Sequence, residues 1–149
     1  MSFKGMEYES ELEDILEEHL DILQDDWMVI GRQINTELHG RLDLLAIDAS
    51  GNLIVIELKR DMTPREAVAQ VLDYGAWVRN LKNEDIAQIF DSYINNSNNE
   101  SIDSAFQNRF GIKAPDELNQ SHQLVIVATQ LDSQTEELLT TSLRNMALR

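Results

Sequence analysis

The chain has no cysteine, which excludes a disulfide framework and any thiolate metal site. No apolar run approaches the ~20 residues of a membrane span. The amino-terminal MSFKGMEYES lacks the apolar core of a secretory signal. A cytoplasmic protein with no membrane partner is the simplest reading of these absences. Histidine is scarce. His19, His39 and His122 stand apart, with neither HxxxH nor HxH spacing, so no histidine metal motif is present. His19 lies on an apolar stripe and reads as a core or edge residue. The phosphate loop GxxxxGK[ST], the dinucleotide fingerprint GxGxxG and the nucleophile elbow GxSxG are missing as well.

Positive charge is also in short supply. Twelve Lys and Arg against 27 Asp and Glu give a net charge of −15. Nucleic-acid binders usually carry a basic footprint, and this chain as a whole repels phosphate. The imbalance is uneven. Residues 7–26 hold ten acids and no Lys or Arg. Residues 58–82 hold five bases (Lys59, Arg60, Arg65, Arg79, Lys82) against three acids (Asp61, Glu66, Asp73).

What is present fits one globular domain over residues 1–149. Hydrophobic residues make up 42% and charged residues 26%, and this length can bury a sizeable core. Residues 6–24 read as an amphipathic helix, with Leu12, Ile15, Leu16, His19, Leu20 and Leu23 forming one stripe. Most acids on this helix read as a solvated face. WMVIGRQIN (27–35) reads as a strand with a bulge at Gly31. A helix is expected over Thr63–Asn80, capped by Thr63 and started by Pro64. Its Val68, Val71, Leu72 and Gly75 make one face and its Gln70, Tyr74 and Trp77 another, so packing on both sides is expected. Two shorter helices, Glu84–Tyr93 and Glu100–Phe110, flank a loop at NNSNN, and Gly111 stops the second. HQLVIVAT (122–129) suits a strand buried on both faces. Asp132 can cap a final helix running to about Asn145. The resulting order predicts a small mixed sheet with helices on both faces. Trp27 and Trp77 read as core residues rather than base-stacking platforms.

The chemistry concentrates in GRLDLLAIDASGNLIVIELK (40–59). Asp48-Ala49-Ser50-Gly51-Asn52 fits a three-residue hairpin loop with Gly51 left-handed. In that register paired positions sum to about 100, and Asp43 falls opposite Glu57 with Cβ atoms ~5 Å apart. Lys59 shares the face. Two carboxylates closing on a buried sheet need compensation from a proton, from the Lys59 ammonium or from a divalent cation. Mg²⁺ suits such a site, since it needs one or two carboxylates and keeps its waters. The competing reading is an ordinary Asp43–Lys59 ion pair with Glu57 exposed.

Asp43, thirteen residues and then Glu57-Leu58-Lys59 resemble the signature of the PD-(D/E)XK nuclease superfamily. GRLDLLAIDASGNLIVIELKR followed by REAVAQVLDYGAWV resembles the catalytic domain of NucS-type endonucleases, most closely from Glu9 to about Trp77. HQLVIVATQLD also looks like bacterial members. The resemblance implies an α/β fold with a restriction-endonuclease-like αβββαβ core. In it a mixed central sheet is flanked by helices, with a helical insertion before the last core strand. It implies a Mg²⁺- or Mn²⁺-dependent endonuclease acting on DNA, with Asp43 and Glu57 as metal ligands and Lys59 as the catalytic lysine. Gln70 and Tyr74 match the family's element on the following helix. An acidic residue of the first helix joins the metal in that family; Glu13 is the expected one, with Glu9 and Glu11 as alternatives. NucS-type enzymes carry a separate amino-terminal domain that helps bind DNA and dimerise. The acidic surface here therefore leads us to expect a homodimer, a protein partner or a further domain to supply basic surface. A nuclease fold used for protein binding, and an RNA nuclease, are the alternative readings.

Overall fold

The computed structural model describes residues 14, 15, 17, 26–36, 40–60, 63–93, 100–131 and 136–144. Five strands and three helices follow in order: β1 (Trp27–Asn35), β2 (Arg41–Asp48), β3 (Leu53–Arg60), α1 (Pro64–Arg79), α2 (Asn83–Tyr93), α3 (Ile102–Phe110), β4 (His122–Leu131) and β5 (Glu136–Arg144). They form one five-stranded sheet ordered β1-β2-β3-β4-β5. β1, β2 and β3 run antiparallel, β4 joins β3 in parallel, and β5 returns antiparallel to β4. The parallel pair needs a long crossover, and the three helices provide it.

Local chemistry sets these boundaries. The β2–β3 turn closes with hydrogen bonds from Asp48 N to Asn52 O and from Gly51 N to Asp48 O, both 3.0 Å. Gly51 sits at φ +82°, a conformation that costs glycine little. The register runs from Ile47↔Leu53 to Leu44↔Ile56, so paired positions sum to 100 as expected. In β1 the register shifts between Val29 and Gly31. A Cβ on Gly31 would lie 2.6 Å from Ile34 Cδ1 and 2.9 Å from Ile89 Cγ2, which explains the glycine at the bulge. Thr63 and Glu66 form a reciprocal capping box at the start of α1. Gly111, at φ +74°, ends α3.

Both faces of the sheet are buried. Leu45, Ile47, Leu53, Val55, Leu124 and Ile126 face one core cluster. Leu44, Ala46, Ile54, Ile56, Val125 and Val127 face the other. β4 thus contributes to both, which accounts for its continuous apolar run. Asn119 ties the strands to the helices. Its N–H donates to Gly51 O, while Nδ2 donates to Val78 O and Leu81 O.

Two expectations are corrected. The chain after β4 forms strand β5, not a helix begun by Asp132 and ending near Asn145, two residues outside the described set. EELLTTSLR carries two β-branched threonines at its centre, and pairing with the open edge of β4 outweighs a weak helical pattern. Of the helices expected on both faces, those described cover one: Tyr74 and Val78 of α1, Ile86 and Phe90 of α2, and Ala105 and Phe106 of α3 all join the first cluster, while most of the helix expected over residues 6–24 lies outside the described residues. Finally, α1 is not packed on two sides. Its stripe of Ala67, Val71, Tyr74 and Val78 meets the core, while Val68 and Leu72 are 58% and 63% exposed. Of the helix expected over residues 6–24, Asp14, Ile15 and Glu17 are described and helical.

Candidate active site

The β2–β3 ladder ends at Leu44↔Ile56. At the next position the side chains take over the work of the main chain. Asp43 N donates to Glu57 Oε1 at 3.0 Å. Leu58 N donates to Asp43 Oδ2 at 2.7 Å. Each carboxylate therefore hooks the opposite strand, and the strands splay where a regular pair would sit.

Glu57 is fully buried, unlike in the reading that left it exposed beside an Asp43–Lys59 pair. Alternation along β3 puts Glu57 and Lys59 on the face of Leu53 and Val55, which is the face covered by α1. Glu57 Oε2 has no hydrogen-bond partner among the described residues. Lys59 Nζ lies 3.7 Å away, inside ion-pair range and beyond hydrogen-bond range. Burial, and then the neighbouring Asp43 carboxylate, push the Glu57 carboxyl up to about 8, against opposing pulls from the Asp43 N–H and from Lys59. At neutral pH this group holds a proton unless a cation replaces it.

α1 closes the site from above. Tyr74 is buried, and its hydroxyl donates to Arg41 O at 3.3 Å. Burial, followed by the Glu57 and Asp43 carboxylates, raises the phenol well above its ordinary range. The hydroxyl thus stays protonated and acts as a donor. Gln70 lies one turn earlier on the same helical face. It is half-buried, and its Oε1 is a second buried oxygen with no hydrogen-bond partner among the described residues.

The structure thus brings Asp43, Glu57, Lys59 and Tyr74 together, with Gln70 one turn away. Glu13, Glu9 and Glu11 lie outside the described residues. Among the described residues no group of three or more His, Asp or Glu comes together, so the carboxylate count here is two. Oxygen donors from two carboxylates, with Glu57 Oε2 buried and unpartnered among the described residues, suit a hard divalent cation such as Mg²⁺ or Mn²⁺. Sequence reasoning missed two participants, the Leu58 N–H and the Arg41 carbonyl. Both are main-chain groups, and no residue type marks them.

Trp27 is buried in the second core cluster, as expected. Trp77 is half-buried and packs against the first. His122 opens β4; burial, and then Arg79, lower its pKa. No helix among the described residues is long and apolar enough to cross a membrane.

The site is thus a pair of carboxylates, one fully buried and one half-buried, at the open end of a hairpin in an α/β domain. The family model described as Endonuclease NucS C-terminal domain matches residues 8–101. That span covers most of the chain, which therefore belongs to this endonuclease family. It contains the hairpin, α1 and α2, and it ends before α3 and β4. No solved structure matches the chain.

Proposed function

We propose that this protein is a Mg²⁺- or Mn²⁺-dependent endodeoxyribonuclease of the PD-(D/E)XK type, hydrolysing DNA phosphodiester bonds in repair or defence. The observation that carries the reading is the interlocked Asp43–Glu57 pair, in which a fully buried carboxylate keeps one oxygen unpartnered. Such a group is costly without a compensating charge. Membership of an endonuclease family supports DNA as the substrate.

In this proposal Asp43 and Glu57 hold the metal, with Glu13 as the third ligand from the first helix. The bound ion would supply an activated water and stabilise charge on the phosphate. Lys59, with its side chain 39% exposed, can reach both the buried carboxylate and an incoming phosphate. We assign it to orienting or deprotonating the attacking water and to neutralising the phosphate. Tyr74 positions the site by fixing the Arg41 carbonyl two residues before Asp43. Gln70 offers an amide oxygen or N–H to the metal site or a phosphate. A homodimer, a protein partner or a further domain supplies the basic surface that a chain of −15 lacks.

The test is incubation with single-stranded, branched and mismatched DNA in Mn²⁺, beside Asp43→Ala. Cleavage by the wild type, abolished in the variant, is expected. No cleavage of any substrate, or equal cleavage by both proteins, overturns the reading. The net charge favours a second reading, a nuclease fold that binds proteins and has little activity. Calorimetric Mg²⁺ or Mn²⁺ binding that is lost in Asp43→Ala counts against it.

A further inference from the structure

A cleft of about 600 Å³ opens between β1, α1 and α2, within the ~300–1,000 Å³ of ordinary ligand pockets. Its apolar lining comes from Ile34, Trp77, Ile89 and Tyr93, all half-buried. Gln88 and Ser92, both exposed, add hydrogen-bonding groups along the same lining.

Charge decides what kind of group fits. Arg32 is the basic residue of the lining, and it is held by Asp14 at 2.7 Å and Glu17 at 3.1 Å. The Tyr93 hydroxyl is likewise committed to Glu17 at 2.7 Å. Asp85 adds a carboxylate whose Oδ2 takes the Lys82 N–H. A phosphate is repelled here. A flat, uncharged ring with donor edges is not, because an indole face can stack on it and Asp85 and Gln88 can take its amino and amide groups.

The cleft also adjoins the carboxylate pair. Trp77 follows Tyr74 by three residues on α1, so the two lie on neighbouring ridges of one face. Asn35, another lining residue, pairs with Arg41, whose carbonyl receives the Tyr74 hydroxyl. We infer that the cleft takes an unstacked nucleobase of the strand engaged at Asp43 and Glu57, with Trp77 as its stacking platform. The location rests on the nuclease reading; the binding can be measured without cleavage.

The full chain has two indole N–H groups, those of Trp27 and Trp77, which Trp77→Phe assigns in ¹H–¹⁵N spectra. The protein is titrated at low ionic strength in Ca²⁺ with a short single-stranded oligodeoxynucleotide and with an abasic oligomer of equal length. The Trp77 signal is expected to move with the base-bearing strand while that of Trp27 stays in place. The abasic strand should bind about tenfold or more weakly, the usual scale of one lost stack. Trp77→Ala should erase this difference, Trp77→Phe should keep it, and the exposed Gln88→Ala should reduce it severalfold in a protein that folds normally. Equal affinity for the two strands, an unmoved Trp77 signal, or a response to a lysine-rich peptide alone overturns the inference. Asp43-dependent cleavage with equal affinity for the two strands sinks this inference and leaves the nuclease reading standing. A base-dependent Trp77 shift without any cleavage does the reverse.

Discussion

The two ends of the β2–β3 hairpin use the same residue type to opposite effect. At the turn, Asp48 Oδ1 accepts the N–H groups of Ser50 and Asn52 at 2.9 and 3.0 Å. The charge is partly hydrated, and the chain closes around it. At the open end Asp43 and Glu57 also accept main-chain N–H groups, yet Asp43 is half-buried and Glu57 fully buried, and Glu57 Oε2 has no hydrogen-bond partner among the described residues. The first arrangement stabilises the fold. The second leaves a buried oxygen uncompensated, a cost of the kind that functional sites commonly carry and that the proposed metal site would relieve.

The largest expected effect separates these ends by activity. Glu57→Gln preserves shape but removes the charge that would hold the proposed cation. Metal-dependent cleavage should fall at least about a thousandfold, since metal stabilisation of the transition state is worth several kcal/mol. The same variant should be no less stable than the wild type at pH 8 without metal, because it removes a repelling buried carboxyl. A large loss of urea stability in Glu57→Gln would break the comparison.

The next effect is pH dependence without metal. The folded-state pKa of Glu57 is raised from 4.5 to about 8, so the folded chain binds more protons than the unfolded one between these values. Stability therefore falls as pH rises from about 4.5 through about 8, by an amount on the order of a few kcal/mol at ~1.4 kcal/mol per unit. Urea melts of the wild type and Glu57→Gln across this window should diverge in that direction. Parallel curves would show that the carboxyl is not held as described.

Metal should reverse this trend. Mg²⁺ or Mn²⁺ at a hundred times its dissociation constant should stabilise the wild type by about 2.7 kcal/mol. The gain should shrink toward pH 5, where protons compete for the ligands. Thermal melts with and without EDTA, at pH 6 and pH 8, measure it. An equal gain in Asp43→Ala would place the ion elsewhere.

Much of this contrast was legible in the sequence because a hairpin is a local object. Gly51 and the Asp48–Asn52 turn fixed the register, and the register put Asp43 across from Glu57. The caps at Thr63 and Gly111 were equally local. Non-local competition was harder to read. Glu136–Arg144 became a strand because β4 offered an edge. Val68 and Leu72 stayed exposed because Tyr74 and Val78 turn the opposite side of α1 to the sheet. The exchange of side-chain for main-chain hydrogen bonds at Asp43 and Glu57 was also hidden, since alternation predicts which face a residue takes but not where a ladder stops. Trp77 reads as core by its surroundings, and only the packing of β1 against α1 and α2 leaves one side of it open.

The smallest effect belongs to the turn. Gly51 needs φ +82°, and a Cβ there would lie 3.0 Å from Leu118 Cδ2 and 3.1 Å from Pro115 Cγ. Gly51→Ala should therefore cost about 1–2 kcal/mol, through left-handed strain and a tight contact. Asp48→Ala should cost about as much by orphaning the Ser50 and Asn52 N–H groups. Neither residue touches the carboxylate pair, which lies at the far end of a ladder whose four pairs, Ile47↔Leu53 to Leu44↔Ile56, stand between. Metal-dependent cleavage per folded molecule should thus be unchanged in both variants under conditions where both stay folded. If Gly51→Ala instead lowers cleavage as far as Glu57→Gln does, the turn sets the geometry of the site. The division between a stabilising end and a chemical end would then fail.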